Sequence, residues 1–301
     1  MAFVTREING VVFLTSTLLD GVPHGFSTRQ GGVSRPPWDS LNLGPSRGDN
    51  PAAVKENYRR FCAAVGEAHR ETMRQREAEA ERKVKARREA EARRGTVTIR
   101  PENAVLAKQV HETTVRPVTG GDAGKGLYRE RDFTADALIT IEPGLPLVVF
   151  SADCGILLLH DPASGAVGAV HAGWRGCAGG IVEKAAREME RLYGTDSSRL
   201  RAAIGPCIGP CCFETDDDVP DAMRTALGSG AEPYLARRGA KWHVDLAGLN
   251  RLWLIRAGVP EDNIDVCGVC TACHPEDYWS HRKMGEARGV QTALIMREAA
   301  E

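Results

Sequence analysis

The sequence predicts an α+β fold, one domain of mixed β-sheets flanked by helices, with a charged helical arm inserted into it. The first observation is a series of four short apolar runs, rich in branched residues and separated by turns, at residues 138–141, 147–150, 156–160 and 167–170. Such runs are typical of buried strands. The second is that helical patterns do not alternate regularly with these strands, which argues against a repeated βαβ fold. The chain of 301 residues shows no internal repeat and no linker, so we expect residues 1–301 to form a single domain.

The N-terminal part is predicted to hold paired strands followed by a helix. Residues 10–19 and 24–34 alternate in the manner of antiparallel strands. In residues 50–66, Asn50 is a candidate N-cap and Pro51 occupies the first helical position, where its missing N–H has no helical partner to lose. Four large apolar side chains fall on one face of this helix: Val54, Tyr58, Phe61 and Val65.

A charged segment follows at residues 67–95. Up to residue 94 it contains ten Lys or Arg and seven Glu, and oppositely charged residues recur four positions apart. Met73 and Val84 are nearly its only large apolar side chains, so it offers no face for burial. We predict an exposed helical insertion, with a self-association or regulatory arm as the alternative.

The remaining elements are predicted from the same patterns. Residues 96–118 are strand-like on both sides of a turn at 108–111, and residues 180–194 form an amphipathic helix that ends at Gly194. The later elements are a strand with a Gly/Pro turn at 200–214, a strand leading into a helix at 243–258, a strand leading into a polar loop at 263–283, and a last strand at 291–298.

Composition argues against two classes of partner. The formal charge of −1 and the pI near 6.7 give no reason to expect nucleic acid or an anionic membrane. No apolar run reaches the roughly 18 residues that a membrane-spanning helix needs, and the N-terminus does not resemble a secretory signal. The nine cysteines are odd in number and lie mostly late in the chain. We therefore expect free thiols, ligands or a nucleophile in a reducing cytoplasm rather than a disulfide framework.

Three candidate ligands stand where apolar strands meet turns. His111 ends the run KQVH, Cys154 ends SADC, and His171 opens HAGWRG. A cysteine thiolate with two imidazoles is a good zinc set, and three protein ligands leave a fourth position for water or substrate. Cys154 and His171 could instead form a nucleophile and its base, with Asp153 as a neighbouring acid. The sequence alone leaves both interpretations open.

Four basic residues in turns beside strands are candidates for binding phosphate or other substrate oxygens: Arg29, Lys108, Arg175 and Arg282. A guanidinium fork and the N–H groups of Gly-rich turns both suit such oxygens. Gln109, beside Lys108 in the same turn, is grouped with them as substrate-binding. The spacing of Cys267, Cys270 and Cys273 is that of a zinc knuckle or a redox pair, but a second CxxC is missing. For these cysteines we predict buried or half-exposed thiols in turns rather than a structural zinc site.

Nine blocks of the sequence together resemble the YfiH-like family, which was long described as multicopper polyphenol oxidase or laccase and is now described as purine nucleoside phosphorylase. The resemblance covers nearly the whole chain except residues 67–95. The blocks, in chain order, are HGFSTRQGGVS, LNLG, KQVH, ADALIT, SADC, VHAGWRG, IGPCIGPCCFE, HVDL and CTACHPEDYWSHRK.

The resemblance implies a metal triad at His111, Cys154 and His171 that holds zinc, with copper as the alternative ion. It implies a catalytic domain that phosphorolyses adenosine, inosine and methylthioadenosine and deaminates adenosine. The partners are then a nucleoside and inorganic phosphate, and the oligomeric state stays open. A multicopper oxidase cluster is not expected, because the eight histidines occur singly rather than in His-x-His pairs.

In this interpretation Asp153, Cys154 and His171 are the catalytic residues. Asp153 would orient a histidine or act as acid or base, and Arg29 and Arg175 would hold phosphate. Three alternatives remain at this stage: a metal-free hydrolase that uses Cys154 with His171, a hydrolase that edits cell-wall precursors, and a non-enzymatic scaffold that binds a partner through its charged arm.

Overall fold

The computed structural model describes residues 2–84 and 98–298, and two six-stranded sheets form most of it. The strands, in chain order, are β1 (Phe3–Ile8), β2 (Val11–Ser16), β3 (His24–Ser27), β4 (Val105–Leu106), β5 (Val115–Pro117), β6 (Ala137–Thr140), β7 (Leu147–Ser151), β8 (Gly155–His160), β9 (Val167–Ala172), β10 (Arg201–Ile204), β11 (Glu214–Thr215), β12 (Leu235–Arg238), β13 (Lys241–Val244), β14 (Ile264–Val266) and β15 (Gln291–Ile295). The first sheet has the order β1-β2-β3-β15-β7-β4 and the second β14-β10-β8-β9-β6-β5, while β11-β13-β12 form a small third sheet.

Helices cover the outer faces of the two large sheets. The helices are α1 (Pro51–Val84), α2 (Trp174–Ala178), α3 (Ile181–Tyr193), α4 (Asp218–Leu227), α5 (Leu246–Arg256) and α6 (His281–Met284). Within the part of the chain that the structure describes, none of the helices combines the length and the apolar character that crossing a bilayer requires.

The alternation of side chains along β8 shows how the layers are arranged. Ile156 and Leu158 face the first sheet and pack in a core between the two sheets. Leu157 and Leu159 face the other way and pack with apolar residues of α3 and α5. All six residues of β8 are buried, and each large apolar side chain removed from water contributes about 1.5–3 kcal/mol. The strand is therefore a fixed base for the residues at its ends.

Helix α1 closes the outer face of the first sheet. Its predicted apolar stripe, Val54, Tyr58, Phe61 and Val65, is buried against residues of β2, β4, β7 and β15. The helix does not end at residue 66 but continues without a break to Val84. Ala68 and His69 are buried as well, so the solvent exposure that the sequence predicted for the whole charged segment does not hold at its start. The end of the predicted arm, residues 85–95, lies outside the described residues.

The predicted fold class is confirmed, and the four apolar runs are strands β6 to β9 with bounds shifted by at most two residues. The strands predicted on both sides of residues 108–111 are present as β4 and β5, but both are short. Before β4, Pro101–Asn103 is a turn of 3-10 helix, because proline has no N–H for a strand ladder. β1, β12 and α4 were not predicted.

Candidate metal centre

The three candidate ligands converge at one end of the second sheet. Cys154 lies in the tight connection between β7 and β8, and His171 lies near the end of β9 with Ile156 of β8 as its cross-strand neighbour. His111 reaches the same point from the loop after β4. The Cys154 sulfur and one ring nitrogen from each histidine lie within 4.8 Å of one another. The two imidazole rings meet edge to face with centroids 4.9 Å apart.

The backbone around the centre takes conformations that ordinary strands and turns avoid. His111 has a φ of 63° and Asp153 a φ of 88°, and residues held in this left-handed region store strain that the surrounding structure must compensate. Gly173 has no such strain, but a β-carbon there would stand 2.8 Å from the Cys154 sulfur and 3.4 Å from His111 Cδ2. The glycine of HAGWRG thus provides the space in which the thiol and the imidazole meet.

Asp136, which precedes β6, connects the two histidines. Its Oδ1 lies 2.9 Å from His171 Nδ1 and accepts a hydrogen bond of 3.0 Å from the His111 backbone N–H. Its Oδ2 accepts further bonds from the N–H groups of Val110 and Glu112. This carboxylate is fully buried and fixes the tautomer of His171, so that Nε2 is left for a ligand or a proton. Asp136 belongs to the block ADALIT, but sequence reasoning gave it no role.

The electrostatics of the centre favour a thiolate beside a charged imidazole. Burial raises the pKa of Cys154, but the charge of His171 and hydrogen bonds from His111 and His171 outweigh it and bring the pKa well below its usual range. Burial lowers the pKa of His171, whereas Cys154 and Asp136 together raise it. The pKa of Asp136 is lowered despite burial because it accepts bonds from His171 and from backbone N–H groups.

The donor set fits a metal ion. One thiolate and two imidazole nitrogens suit zinc and copper alike, and the carboxylate behind His171 is the support that metal-bound histidines commonly have. Three protein donors leave an open coordination position.

Asp153 has a different neighbourhood from the one that the sequence predicted. Its Oδ1 accepts a hydrogen bond of 2.7 Å from the Thr271 hydroxyl and its Oδ2 one of 2.7 Å from the backbone N–H of Arg282. The carboxylate that holds a histidine is Asp136 instead. Asp153 therefore ties the turn that carries Cys154 to the loop 271–282.

Three of the predicted substrate-binding side chains bond to backbone carbonyls. The Arg29 guanidinium donates to the carbonyls of Asp39 and Pro275 and stacks on Trp279. The remaining two are Gln109, whose amide bonds with both backbone groups of Phe150, and Arg282, which donates to the carbonyls of Cys212 and Glu214. These side chains hold loops in place around the centre.

Lys108 and Arg175 have free charged groups. Both are exposed, and neither side chain has a hydrogen bond or an ion pair within residues 2–84 and 98–298, although Arg175 stacks on Trp174 at 4.3 Å.

Sequence reasoning missed Arg288, which is only 6% exposed. Its Nε has no partner in the described part of the chain. Burial lowers the pKa of Arg288, and the charges of Asp153 and Cys154 oppose that shift. In the sequence, Arg288 is marked only by its position after the last polar loop.

A second group of cysteines was predicted as thiols in turns, and they are free thiols in loops that also lie close together. The sulfur atoms of Cys211, Cys212, Cys270 and Cys273 all lie within 4.8 Å of one another. The second pair of sulfurs comes from the adjacent residues Cys211 and Cys212. Their spacing does not match a CxxC pattern, so a search for such a pattern does not find them. All nine cysteines of the chain are free thiols.

Comparisons with known proteins show what the chain is similar to in sequence and in fold. A family model described as multi-copper polyphenol oxidoreductase laccase matches residues 23–89 and 73–298, in two overlapping stretches. The purine nucleoside phosphorylase YlmD of Geobacillus stearothermophilus is 33% identical over 287 residues, which is 92% of this chain and 90% of YlmD. The purine nucleoside phosphorylase YfiH of Escherichia coli is 32% identical over 263 residues, covering 87% and 89%. The crystal structure of the Geobacillus YlmD superposes with a TM-score of 0.81 at 31% identity and covers 98% of each chain.

Proposed function

Because the chain belongs to the YfiH-like family, whose model is described as multi-copper polyphenol oxidoreductase laccase, we propose that it is a metal-dependent purine nucleoside phosphorylase. The observation that supports this most is the three-donor centre of His111, Cys154 and His171 with Asp136 behind it. The relatives named purine nucleoside phosphorylase match about 90% of the chain. Those names give no support to a metal-free thiol hydrolase or to a hydrolase of cell-wall precursors.

We assign zinc to the centre, held by His111 Nε2 or Nδ1, the Cys154 thiolate and His171 Nε2. A zinc ion held there would supply a Lewis acid. Asp136 holds His171 in one orientation by accepting the proton of Nδ1, which directs Nε2 to the metal. Gly173 allows the three donors to approach, since a side chain there would displace the Cys154 sulfur.

In phosphorolysis a phosphate oxygen forms a bond to C1′ of the nucleoside while the bond from C1′ to the purine nitrogen breaks. The purine leaves with a proton and the sugar leaves as a pentose 1-phosphate. We assign the phosphate to Lys108 and Arg175, whose charged groups have no hydrogen bond or ion pair within the described residues, and to Arg288, whose Nε has no partner there. Arg29, Gln109 and Arg282 then act by holding the surrounding loops, and Asp153 holds the turn of Cys154.

The substrates that we propose are adenosine, inosine and methylthioadenosine. Deamination of adenosine in the same pocket is a second reaction of the proposal, in which a water oxygen forms a bond to C6 of the purine and the C6 amino group leaves as ammonia, giving inosine. Nine free thiols among the described residues favour a reducing compartment such as the cytoplasm.

The test is to incubate the purified protein with adenosine, with and without phosphate and with and without a chelator, and to identify the products. We expect adenine with pentose 1-phosphate only when phosphate is present, inosine when it is absent, and neither after the metal is stripped. His160→Ala is the matched control for His171→Ala, because His160 is also buried but lies at the far end of β8. Full phosphorolysis by His171→Ala, or by protein with less than a tenth of an equivalent of metal, would show the proposal to be wrong.

A further inference from the structure

Two loops bring four sulfur atoms together outside the His–Cys–His centre. Cys211 and Cys212 lie in a turn after β10, in which the Cys212 N–H donates to the Gly209 carbonyl at 3.0 Å. Cys270 and Cys273 lie in the loop after β14. The loops meet because β10 and β14 pair in parallel and because Cys207 and Cys270 form an isolated bridge beyond the strand ends. We name these four residues the tetracysteine cluster.

The distances in the tetracysteine cluster match the edges of a small tetrahedron. The Cys273 sulfur lies 3.4 Å from that of Cys211 and 3.5 Å from that of Cys212. A zinc ion bound to four sulfurs at about 2.3 Å would place them about 3.8 Å apart. A disulfide would need about 2.05 Å, so the sulfurs are gathered around a point without being bonded in pairs.

The backbone of the tetracysteine cluster supports thiolates. The Gly209 N–H donates to the Cys270 sulfur at 3.2 Å. N–H groups of the residues that follow a cysteine in a CxxC turn point at its sulfur, which stabilises the negative charge of a bound thiolate.

Two further observations concern the surroundings of the four sulfur atoms. A β-carbon at Gly209 would lie 3.2 Å from Cys270 Cβ and 3.4 Å from the Cys211 sulfur, so a side chain would press into the cluster. The Arg282 guanidinium donates to the carbonyls of Cys212 and Glu214 at 3.0 Å each. Its positive charge is well placed against the net negative charge that four thiolates and a divalent ion would carry.

We propose that Cys211, Cys212, Cys270 and Cys273 bind a structural zinc ion that is separate from the metal of the His–Cys–His centre. Four sulfur ligands close the coordination sphere, so this ion has no position for substrate. It joins the loop after β10 to the loop after β14. Both loops bond to Asp153, the first through the Ile208 N–H at 2.8 Å and the second through the Thr271 hydroxyl. The ion would therefore hold in place the two loops that contact Asp153, next to Cys154 in the chain.

The test measures the zinc content of the full-length protein, purified under reducing conditions without chelator and without an affinity tag. We compare wild type with the double variant Cys211→Ser/Cys273→Ser. Cys267→Ser is the matched control, since Cys267 is half-buried in the same loop but outside the tetracysteine cluster. We expect the double variant to contain about one equivalent of zinc per chain less than wild type and the control to be unchanged. Equal zinc in all three proteins overturns the proposal.

A second measurement uses wild type alone and does not depend on how the double variant folds. Zinc K-edge X-ray absorption gives the mean number of sulfur ligands per zinc. With both sites loaded we expect an average of roughly 2.5 sulfurs at about 2.3 Å, since one site has four thiolates and the other has one. A mean of one sulfur per zinc, or a disulfide between cluster cysteines by intact mass, contradicts the proposal. Neither result bears on phosphorolysis, so this inference and the proposed function fail independently.

Discussion

The His–Cys–His centre and the tetracysteine cluster lie on the two sides of Asp153, and they are built in opposite ways. The centre takes mixed donors from three separate segments, with a fully buried carboxylate, Asp136, behind one of them. The tetracysteine cluster takes four sulfurs from two loops, and Cys211 and Cys273 are exposed. Three rigidly supported donors leave a position for chemistry, whereas four donors on loops complete a sphere and only hold the loops together.

The two sites also differ in how they stabilise thiolates. In the centre the charge of His171 lowers the pKa of Cys154 against the effect of burial. In the tetracysteine cluster, burial and hydrogen bonds with neighbouring cysteines raise the pKa values of Cys211 and Cys212, and only that of Cys270 is lowered. Within residues 2–84 and 98–298 no imidazole nitrogen is grouped with the four sulfurs, so a bound cation would supply the positive charge that His171 supplies at the centre. The centre is preorganised by its own residues, and the cluster is completed by what it binds.

The largest expected difference comes from replacing sulfur by oxygen at each site. Cys154→Ser should lower the kcat/KM of phosphorolysis at least about 1,000-fold, or about 4 kcal/mol, because a ligand and a charge are lost where the bonds rearrange. Cys211→Ser/Cys273→Ser should lower it about tenfold or less, because only loop position changes. Steady-state kinetics on folded protein, verified by circular dichroism, decide the matter. Equal losses at the two sites would contradict the division into a catalytic and a structural site.

The second prediction concerns the carboxylate behind the centre. Asp136→Asn should weaken metal binding at the centre about 10- to 100-fold, because an amide cannot fix the His171 tautomer as a carboxylate does. Competition with a fluorescent chelator measures the affinity. Asp161→Asn is the matched control, since Asp161 is equally buried but bonds to Ala163 and Ser164 at the far end of β8. The same loss in both variants would mean that Asp136 acts only on folding.

The two sites were unequally predictable from the sequence. His111, Cys154 and His171 could be selected because each stands at the end of a local apolar run, and such runs are visible in the sequence itself. The role of Asp136 could not be predicted, because it depends on a loop some 25 residues earlier folding back around its carboxylate. The tetracysteine cluster depends on the parallel pairing of β10 with β14, a contact between strands about 60 residues apart that no local pattern encodes.

The arginines show a different limit of prediction. A turn that contains arginine indicates a cation near a strand end, but not what its guanidinium contacts. Arg29 and Arg282 point at backbone carbonyls, which is decided by loop conformation. Arg288, in the loop before β15, is buried and feels the charges of Asp153 and Cys154, which no local pattern in the sequence indicates. The strands β6 to β9 were predicted because each is a continuous apolar run rich in branched residues, whereas the direction of a side chain in a loop leaves no such pattern in the sequence.

The third prediction adds one methyl group at each site. At Gly173 the new carbon would stand 2.8 Å from the Cys154 sulfur, whereas at Gly209 its closest contact is 3.2 Å. Gly173→Ala should cost about 1–3 kcal/mol of metal binding at the centre, which is typical of overpacking. Gly209→Ala should change zinc release from the tetracysteine cluster only a few-fold. Zinc release rates measured with a chromogenic chelator compare the two variants. A stronger effect at Gly209 would mean that the cluster is the more rigid of the two sites.

The smallest expected effect separates the two exposed arginines that flank these sites. Arg175→Gln should raise the KM for phosphate roughly fivefold with little change in kcat, because an exposed charge is screened by solvent and adds only a modest attraction. Arg282→Gln removes the donor to the Cys212 and Glu214 carbonyls, so it should speed zinc release from the tetracysteine cluster and leave the phosphate KM close to that of wild type. The phosphate KM and the rate of zinc release are each measured for both variants and compared. If Arg282→Gln raises the phosphate KM as much as Arg175→Gln does, Arg282 contacts phosphate. An arginine that only holds the loops should change zinc release and leave the phosphate KM nearly unchanged.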